Sequence, residues 1–374
     1  MALLKNLSLI ILFVVIVIFG LVAVQNIIGN YDYTQSSSLT NQSAESTVYI
    51  ENGITGVVLI NDPFLNRTTA IDVIYYPLDT GSGFIVNSNG YIITALHVVG
   101  DLNSLNNQTL NTMNSDDVKL YIERAAVSGY INEYNPELSY ELANNVSGNS
   151  KKALNSNSTT DILIQKNLLN VQSAQQLIKV SLPGTSITNL NASIVDVGNT
   201  NKDEDVALLK INAPVNNLHP LTVSSKNPTI FEGLHIYGYP GLDNAVNSGL
   251  NNAIVKPESS TGLLTSETYK NDTNPETLQI NTVFENILNW IMVIFPPQTS
   301  SNGTLYYGTT AVTTEGYSGG PVVDSKNQVL GIIIFSIESN DLFKQQLKLT
   351  SSLFLSSKYI IQICKKNNIP INVA

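Results

Sequence analysis

The alternation of apolar and polar residues divides the chain before any single residue is considered. Residues 7–24, LSLIILFVVIVIFGLVAV, form an uncharged run of 18, about the minimum that crosses the hydrocarbon core of a bilayer as a helix. Residues 25–46, ending in TQSSSLTNQSAES, show no apolar period and predict a flexible polar stalk. From residue 47 the texture becomes short β-branched runs separated by Gly, Asn and Pro: TGVVLI, GFIVNSNGYIITAL, ASIVDV, DVALLKI, LHIYGYP, PVVD and QVLGIIIF. Runs of that length between turn formers predict an all-β barrel or sandwich. Within them VNSNGY predicts a hairpin turn with Asn89 and Gly90 supplying positive φ angles.

Two stretches depart from this texture. Residues of about 103–177 include SDDVKLYIERAAVSGYINEY and TTDILIQKNLLNVQSAQQLIKV, whose apolar positions recur at three- and four-residue spacing and predict a helical insertion. Residues of about 265–306 are polar at both ends and carry VFENILNWIMVIFPP around Trp290, the only tryptophan. That run is too short to span a bilayer. It reads either as a hairpin or helix buried against the barrel or as a contact with the membrane surface.

Composition narrows the class. An apolar content of 43% in 374 residues is ample for a buried core. Charged residues make up only 13%, the net charge is −10 and no basic cluster occurs, which argues against a nucleic-acid partner. The single cysteine, Cys364, excludes an internal disulfide framework, and no Cys/His cluster predicts a structural zinc. Lys5 precedes the apolar run and no Lys or Arg follows until Arg67, so the positive-inside bias places residues 1–6 in the cytoplasm and everything after 24 outside the membrane. The run is long for a cleaved leader and lacks a clear A-x-A site, so 7–24 is read as a retained single-pass anchor. Beyond it lie eight Asn-x-Ser/Thr sequons, at Asn41, Asn66, Asn107, Asn145, Asn157, Asn191, Asn271 and Asn302. They fit a glycosylated outer face, although a chain this rich in Asn and Ser also generates sequons by chance.

Candidate chemistry gathers in three places. TTEGYSGGPVVD, residues 313–324, sets Ser318 between glycines; alone, that favours a turn. A nucleophilic serine needs a base, a carboxylate to orient it and amide donors for the oxyanion. His97 closes an apolar strand and opens a short turn, whereas His219 sits in a loop and His235 alternates within a strand, and both read as structural. In NKDEDVALLKI only Asp205 directly abuts the strand; Asp203 and Glu204 read as a solvated turn. Gly316, two places before Ser318, lets the backbone aim its own amide and that of Ser318 at one point, while Gly319 and Gly320 keep bulk away.

The blocks DTGSGFIVNSNGYIITALHVV, NASIVDVGNTNKDEDVALLKI, SSKNPTIFEGLHIYGYPG and TTAVTTEGYSGGPVVDSKNQVLGI resemble the trypsin-like serine proteases, and within them the HtrA/Deg family. The resemblance covers about residues 47–102, 178–264 and 307–368, with LFLSSKYIIQICKKNNI as the closing helix. It implies two six-stranded antiparallel β-barrels with a cleft between them. It implies a triad of His97, Asp205 and Ser318, with Gly316 and Ser318 as the oxyanion hole and no cofactor or metal. The domain is then 47–374, a membrane-anchored, extracytoplasmic serine endopeptidase acting on unfolded or flexible polypeptides, with protein quality control as its setting and a homo-oligomer as one possible state. The alternative is an inactive member that serves as a surface binding module.

Three departures qualify the resemblance. Tyr317 stands where the family usually has Asn or Asp, and Glu315 where it has Pro. His97 and Asp205 are 108 residues apart, far more than the family's spacing, and the helical insertion falls between them. After Ala374 no chain remains for a PDZ domain, so the expectation is a member without one. The primary pocket is expected between Val312 and Thr313 on one side and Gly331, Ile332 and Ile333 on the other. Val312, six before Ser318, offers no carboxylate to a basic side chain, which predicts cleavage after Val, Ala, Leu or Ile.

Overall fold

The computed structural model describes residues 37–100, 116–147, 152–184, 190–212, 216–240, 256–270, 279–282, 303–336 and 352–374. The chain divides into two compact units, 1–41 and 42–374. Of the first, only the opening of one helix is described, and all that follows concerns the second. The apolar run 7–24, the Trp290 segment and the sequons Asn107, Asn271 and Asn302 lie outside the described residues, among which no helix is long and apolar enough to cross a membrane.

Six strands close the first barrel: β1 (Thr47–Asp62), β2 (Arg67–Asn87), β3 (Tyr91–Thr94), β4 (Leu169–Ser181), β5 (Leu190–Val197) and β6 (Ala207–Ile211), paired in the order β1-β2-β3-β6-β5-β4. After β7 (Thr222–Val223) come β8 (Gly233–Gly238), β9 (Glu258–Lys270), β10 (Gln279–Thr282), β11 (Thr304–Thr309), β12 (Pro321–Val323), β13 (Gln328–Ser336) and β14 (Ser352–Ser356). The ring β8-β9-β11-β14-β13-β12 returns to β8 and is the second six-stranded antiparallel barrel. Strand β10 pairs with the far half of β9, and β7 lies parallel to the start of β13. Closure removes the unpaired edges that an open sheet would present. Buried residues of these strands, among them Phe84, Ile92, Ile93, Leu208, Ile236, Val322, Ile332 and Phe354, form one continuous apolar cluster. Burial of each such side chain contributes roughly 1.5–3 kcal/mol.

The insertion is built differently from the expectation. Helix α3 (Asp116–Glu133) forms where predicted, with Ile122, Ala126, Val127 and Tyr130 on its buried stripe. Helix α4 (Leu138–Ser147) was not anticipated, and α5 (Ser156–Gln165) accounts for only the first third of the second predicted helix. Asn167, at φ 54°, ends it in the left-handed region, and from Leu169 the chain is strand β4, paired with β1 from Leu169↔Ile60 onward. Strands β1 and β2 run beyond the barrel as a long hairpin. The helices cover one face of this extension through a second core of Ile54, Val58, Ile60, Ile71, Val73, Leu138, Leu142 and Leu163.

Four further expectations are corrected. Residues 37–46 of the expected stalk form helix α1 (Ser37–Ser46), whose last turn is pinned by Ser43 Oγ donating to Asn327 Oδ1 and Ser46 Oγ donating to the His219 carbonyl. Both ends of the expected second insertion are barrel strands, β9 and β11, because their inward positions are needed to close the ring. LFLS belongs to strand β14, and the closing helix α6 is Ser357–Lys366, capped by Ser356. In the β2–β3 hairpin only Gly90 has positive φ, so the turn bonds Gly90 N–H to Asn87 O rather than using a pair of left-handed residues.

Candidate active site

The strand register accounts for the first two residues of the site. Strands β3 and β6 are antiparallel neighbours with Thr94 opposite Ala207, so the chain leaving β3 and the chain entering β6 lie at the same end of the barrel. Leaving β3, the chain forms one helical turn, α2 (Leu96–Val99), in which Leu96, Val98 and Val99 are buried and His97 faces outward, its side chain 33% exposed. Approaching β6, a 3-10 turn at Thr200–Lys202 and a left-handed Asp203 deliver Asp205, 4% exposed, two residues before the strand. The turn is also gripped from the second barrel: Thr304 Oγ1 donates to the Lys202 carbonyl and Tyr306 OH to the Asp203 carbonyl.

Asp205 uses both oxygens on His97. Its Oδ2 lies 2.6 Å from Nδ1, and its Oδ1 accepts the His97 backbone N–H at 3.0 Å. A carboxylate at that distance requires a proton on Nδ1, which leaves Nε2 as the acceptor. Burial disfavours the imidazolium, but the hydrogen bond and charge of Asp205, with Asp79 further off, outweigh it, and the His97 pKa is raised above its ordinary value. The remaining sequence candidates sit elsewhere: Glu204 accepts the Asn199 N–H in the turn, His219 is exposed, and His235 is half-buried in β8 with its pKa lowered by burial.

Ser318 comes from the β11–β12 loop of the second barrel. Thr314 to Tyr317 form a turn closed by Tyr317 N–H to Thr314 O at 3.2 Å, with Gly316 at φ 93° in the position where a type II turn requires it. A side chain on Gly316 would also overlap the Tyr239 carbonyl. Neither the Gly316 nor the Ser318 amide donates to a described backbone carbonyl, so both are free for an oxyanion. The loop abuts the first barrel at Ser82, whose N–H donates to the Ser318 carbonyl at 2.8 Å and whose Oγ donates to the Gly316 carbonyl at 2.5 Å. Ser82 precedes Gly83, which pairs with Thr94, and a Cβ on Gly319 would lie 2.8 Å from Ala95 N. The serine loop therefore packs against the segment that leads into His97. The Ser318 hydroxyl donates to the Ile334 carbonyl at 3.2 Å, and handing its proton to His97 would require that bond to be given up.

Of the expected pocket residues, Thr313 is buried, and its hydroxyl bonds that of Ser352 at 2.7 Å, which in turn donates to the Ala311 carbonyl. Val312 is 66% exposed. Ile332 and Ile333 are fully buried, and a Cβ on Gly331 would overlap the Leu355 carbonyl, so none of these three positions has an exposed side chain. The segment is paired with β14 along its length, Gly331 opposite Ser356 and Ile333 opposite Phe354. Tyr317 fills the space beside Gly238, where a Cβ would meet its ring at 2.6 Å. Glu315 is exposed. Ser82 and the Ile334 carbonyl had escaped sequence reasoning, because neither carries a local signal and Ser82 meets its partner 234 residues away. Among the described residues no three His, Cys, Asp or Glu side chains converge as metal ligands.

A comparison with curated proteins gives no match. The family described as a trypsin-like peptidase domain matches residues 81–332, a span that includes both barrels' contributions to the site. The chain belongs to the trypsin-like peptidase domain family.

Proposed function

We propose that this protein is a serine endopeptidase in which His97, Asp205 and Ser318 form the triad. The observation that carries the reading is the 2.6 Å contact between His97 Nδ1 and an Asp205 whose second oxygen holds the same residue's backbone, beside a serine loop with two free amides. Ser318 Oγ forms a bond to the scissile carbonyl carbon while its proton passes to His97 Nε2 and the carbonyl electron pair moves onto oxygen. The amides of Gly316 and Ser318 donate to that oxyanion. Collapse breaks the C–N bond as His97 returns the proton to the leaving amine. Water then repeats the sequence, releasing the acid and restoring Ser318. Asp205 orients the imidazole and stabilises its cation throughout.

The test is covalent labelling by a fluorophosphonate: capture at Ser318 supports the enzyme, and no capture alongside no peptide cleavage would favour the inactive binding module. The preferred substrates are flexible polypeptides cleaved after small aliphatic residues. Val312 and the self-satisfied Thr313–Ser352 pair support this, since the 311–318 segment carries no buried charge to receive Lys or Arg. A peptide-library profile dominated by basic residues before the scissile bond would instead place exposed Glu315 in the pocket.

The four sequence blocks support an HtrA/Deg-like member acting in extracytoplasmic protein quality control. Anchoring through 7–24 with the peptidase outside is supported by the lone Lys5 and by the exposure of Asn66, Asn145, Asn157 and Asn191. Protease added to intact cells should release a soluble fragment carrying Ser318; protection of the whole chain would reverse the orientation.

A further inference from the structure

Ser82 lies on β2 with no exposed surface, and each of its polar groups is engaged. Its carbonyl accepts the Thr94 hydroxyl at 2.7 Å, its N–H donates to the Ser318 carbonyl at 2.8 Å, and its hydroxyl donates to the Gly316 carbonyl at 2.5 Å while accepting the Tyr239 N–H at 3.0 Å. Two of these bonds hold opposite ends of the tripeptide 316–318, which carries both free amides. Any residue at position 82 supplies the backbone bond to Ser318. Only a hydroxyl supplies the bond to Gly316.

That second bond bears on the turn. It grips the Gly316 carbonyl, which belongs to the peptide following Gly316, and so fixes where the segment that carries both amides sits against β2. The other partners of this segment are weaker: the Tyr239 N–H reaches the Gly316 carbonyl at 3.4 Å, and the turn's own bond is 3.2 Å. The short bond from Ser82 Oγ, itself fixed by the Tyr239 N–H, is the strongest restraint on Gly316 among the described residues.

We propose that Ser82 is a positioning residue that fixes the Gly316 carbonyl, and with it the 316–318 segment, against the first barrel and so keeps the oxyanion site assembled before substrate arrives. This rests on the reading of Gly316 and Ser318 as the oxyanion donors. A restraint of this kind stabilises the transition state and leaves ground-state binding alone. Removing one oxyanion donor outright lowers kcat by about 10²–10³; a donor left in place but unrestrained should lower it about 10- to 100-fold.

The experiment compares the wild-type protein with Ser82→Ala and Ser82→Cys, the latter keeping nearly the same volume with a weak donor. A peptide aldehyde serves as probe, because its adduct with Ser318 presents an oxygen to the two amides. The expected result is a fall in kcat with KM within about twofold, and a loss of aldehyde affinity by the same factor as kcat/KM. A merely structural role would lower the melting midpoint and the active fraction without changing the aldehyde affinity of the folded protein, and that result would overturn the proposal, as would wild-type kcat in either folded variant. Should Ser82→Ala fail to fold, Ser82→Cys decides alone. Absence of cleavage and of fluorophosphonate capture in the wild type would refute the underlying assignment instead, and this inference with it.

Discussion

His97 and Asp205 flank adjacent strands of one barrel, and the Thr94↔Ala207 register brings them together. Ser318 and Gly316 belong to the other barrel and reach the same place through bonds to Ser82, a residue 234 positions from Gly316. The first half is set by a ladder of many hydrogen bonds and a shared core. The second depends on a few tethers between barrels. The imidazole half should therefore tolerate distant changes that the serine half does not, and the two halves can be broken separately.

The largest effect is expected at the serine. Ser318→Ala removes a half-buried hydroxyl whose partner is the Ile334 carbonyl. Folding should survive, as read by an unchanged melting midpoint, while kcat falls by roughly 10⁴ or more. Turnover within about tenfold of wild type would exclude Ser318 as nucleophile. Next comes the carboxylate. Asp205→Asn keeps the shape but puts an amide against Nδ1, favouring the wrong tautomer, and should lower kcat by roughly 10³- to 10⁴-fold. Asp203→Asn should change it less than about threefold, because the bonds from that residue to Tyr306 and to the Asp205 amide use its backbone carbonyl. Exchanged outcomes would mean that the acid has been misassigned.

These residues also show what can be read in a chain of this kind. His97 and Asp205 were legible because each adjoins a strand whose apolar run is unmistakable, and register did the rest. Ser318 was legible from its glycines, since a free amide at Gly316 demands a positive φ. The pocket walls were not: Ile332 and Ile333 look the same in sequence whether they line a pocket or a core, and the structure leaves both side chains buried. The helix–strand error at 169–177 has a similar origin. LNVQSAQQL offers apolar positions compatible with either period, and its pairing with β1, more than 100 residues earlier, settles the matter. Ser82, within GSGF, carries no local signal, because its bonds to Gly316 and Ser318 exist only across the barrel interface.

A smaller effect concerns pH. The His97 base works only when neutral, so kcat/KM must fall as pH drops through its pKa, which lies above the ordinary value near 6.5. The acid limb should accordingly sit above that of an isolated imidazole. Asp79, exposed on β2, contributes part of the shift by its charge. Asp79→Asn should move the limb to lower pH while leaving the plateau kcat within about twofold. A limb displaced upward, or unmoved at low ionic strength where the charge is least screened, would remove Asp79 from the electrostatics of the site.

The smallest effect on catalysis is expected from the helical layer. Leu142 on α4 is fully buried in the second core, beneath the β1–β2 extension, and no residue of the site belongs to that cluster. Leu142→Ala removes packed methyl groups and should destabilise by about 2–5 kcal/mol. Leu208→Ala is the informative partner. It makes the same change in β6, opposite Ile93 and three residues beyond Asp205, within the core that orders the imidazole half. Both variants should melt at lower temperature. Only Leu208→Ala should lower kcat per folded molecule, since it alone loosens the strand that presents Asp205. Equal losses of kcat would show that the insertion between His97 and Asp205 communicates with the site through β1 and β2, and that the two cores act as one.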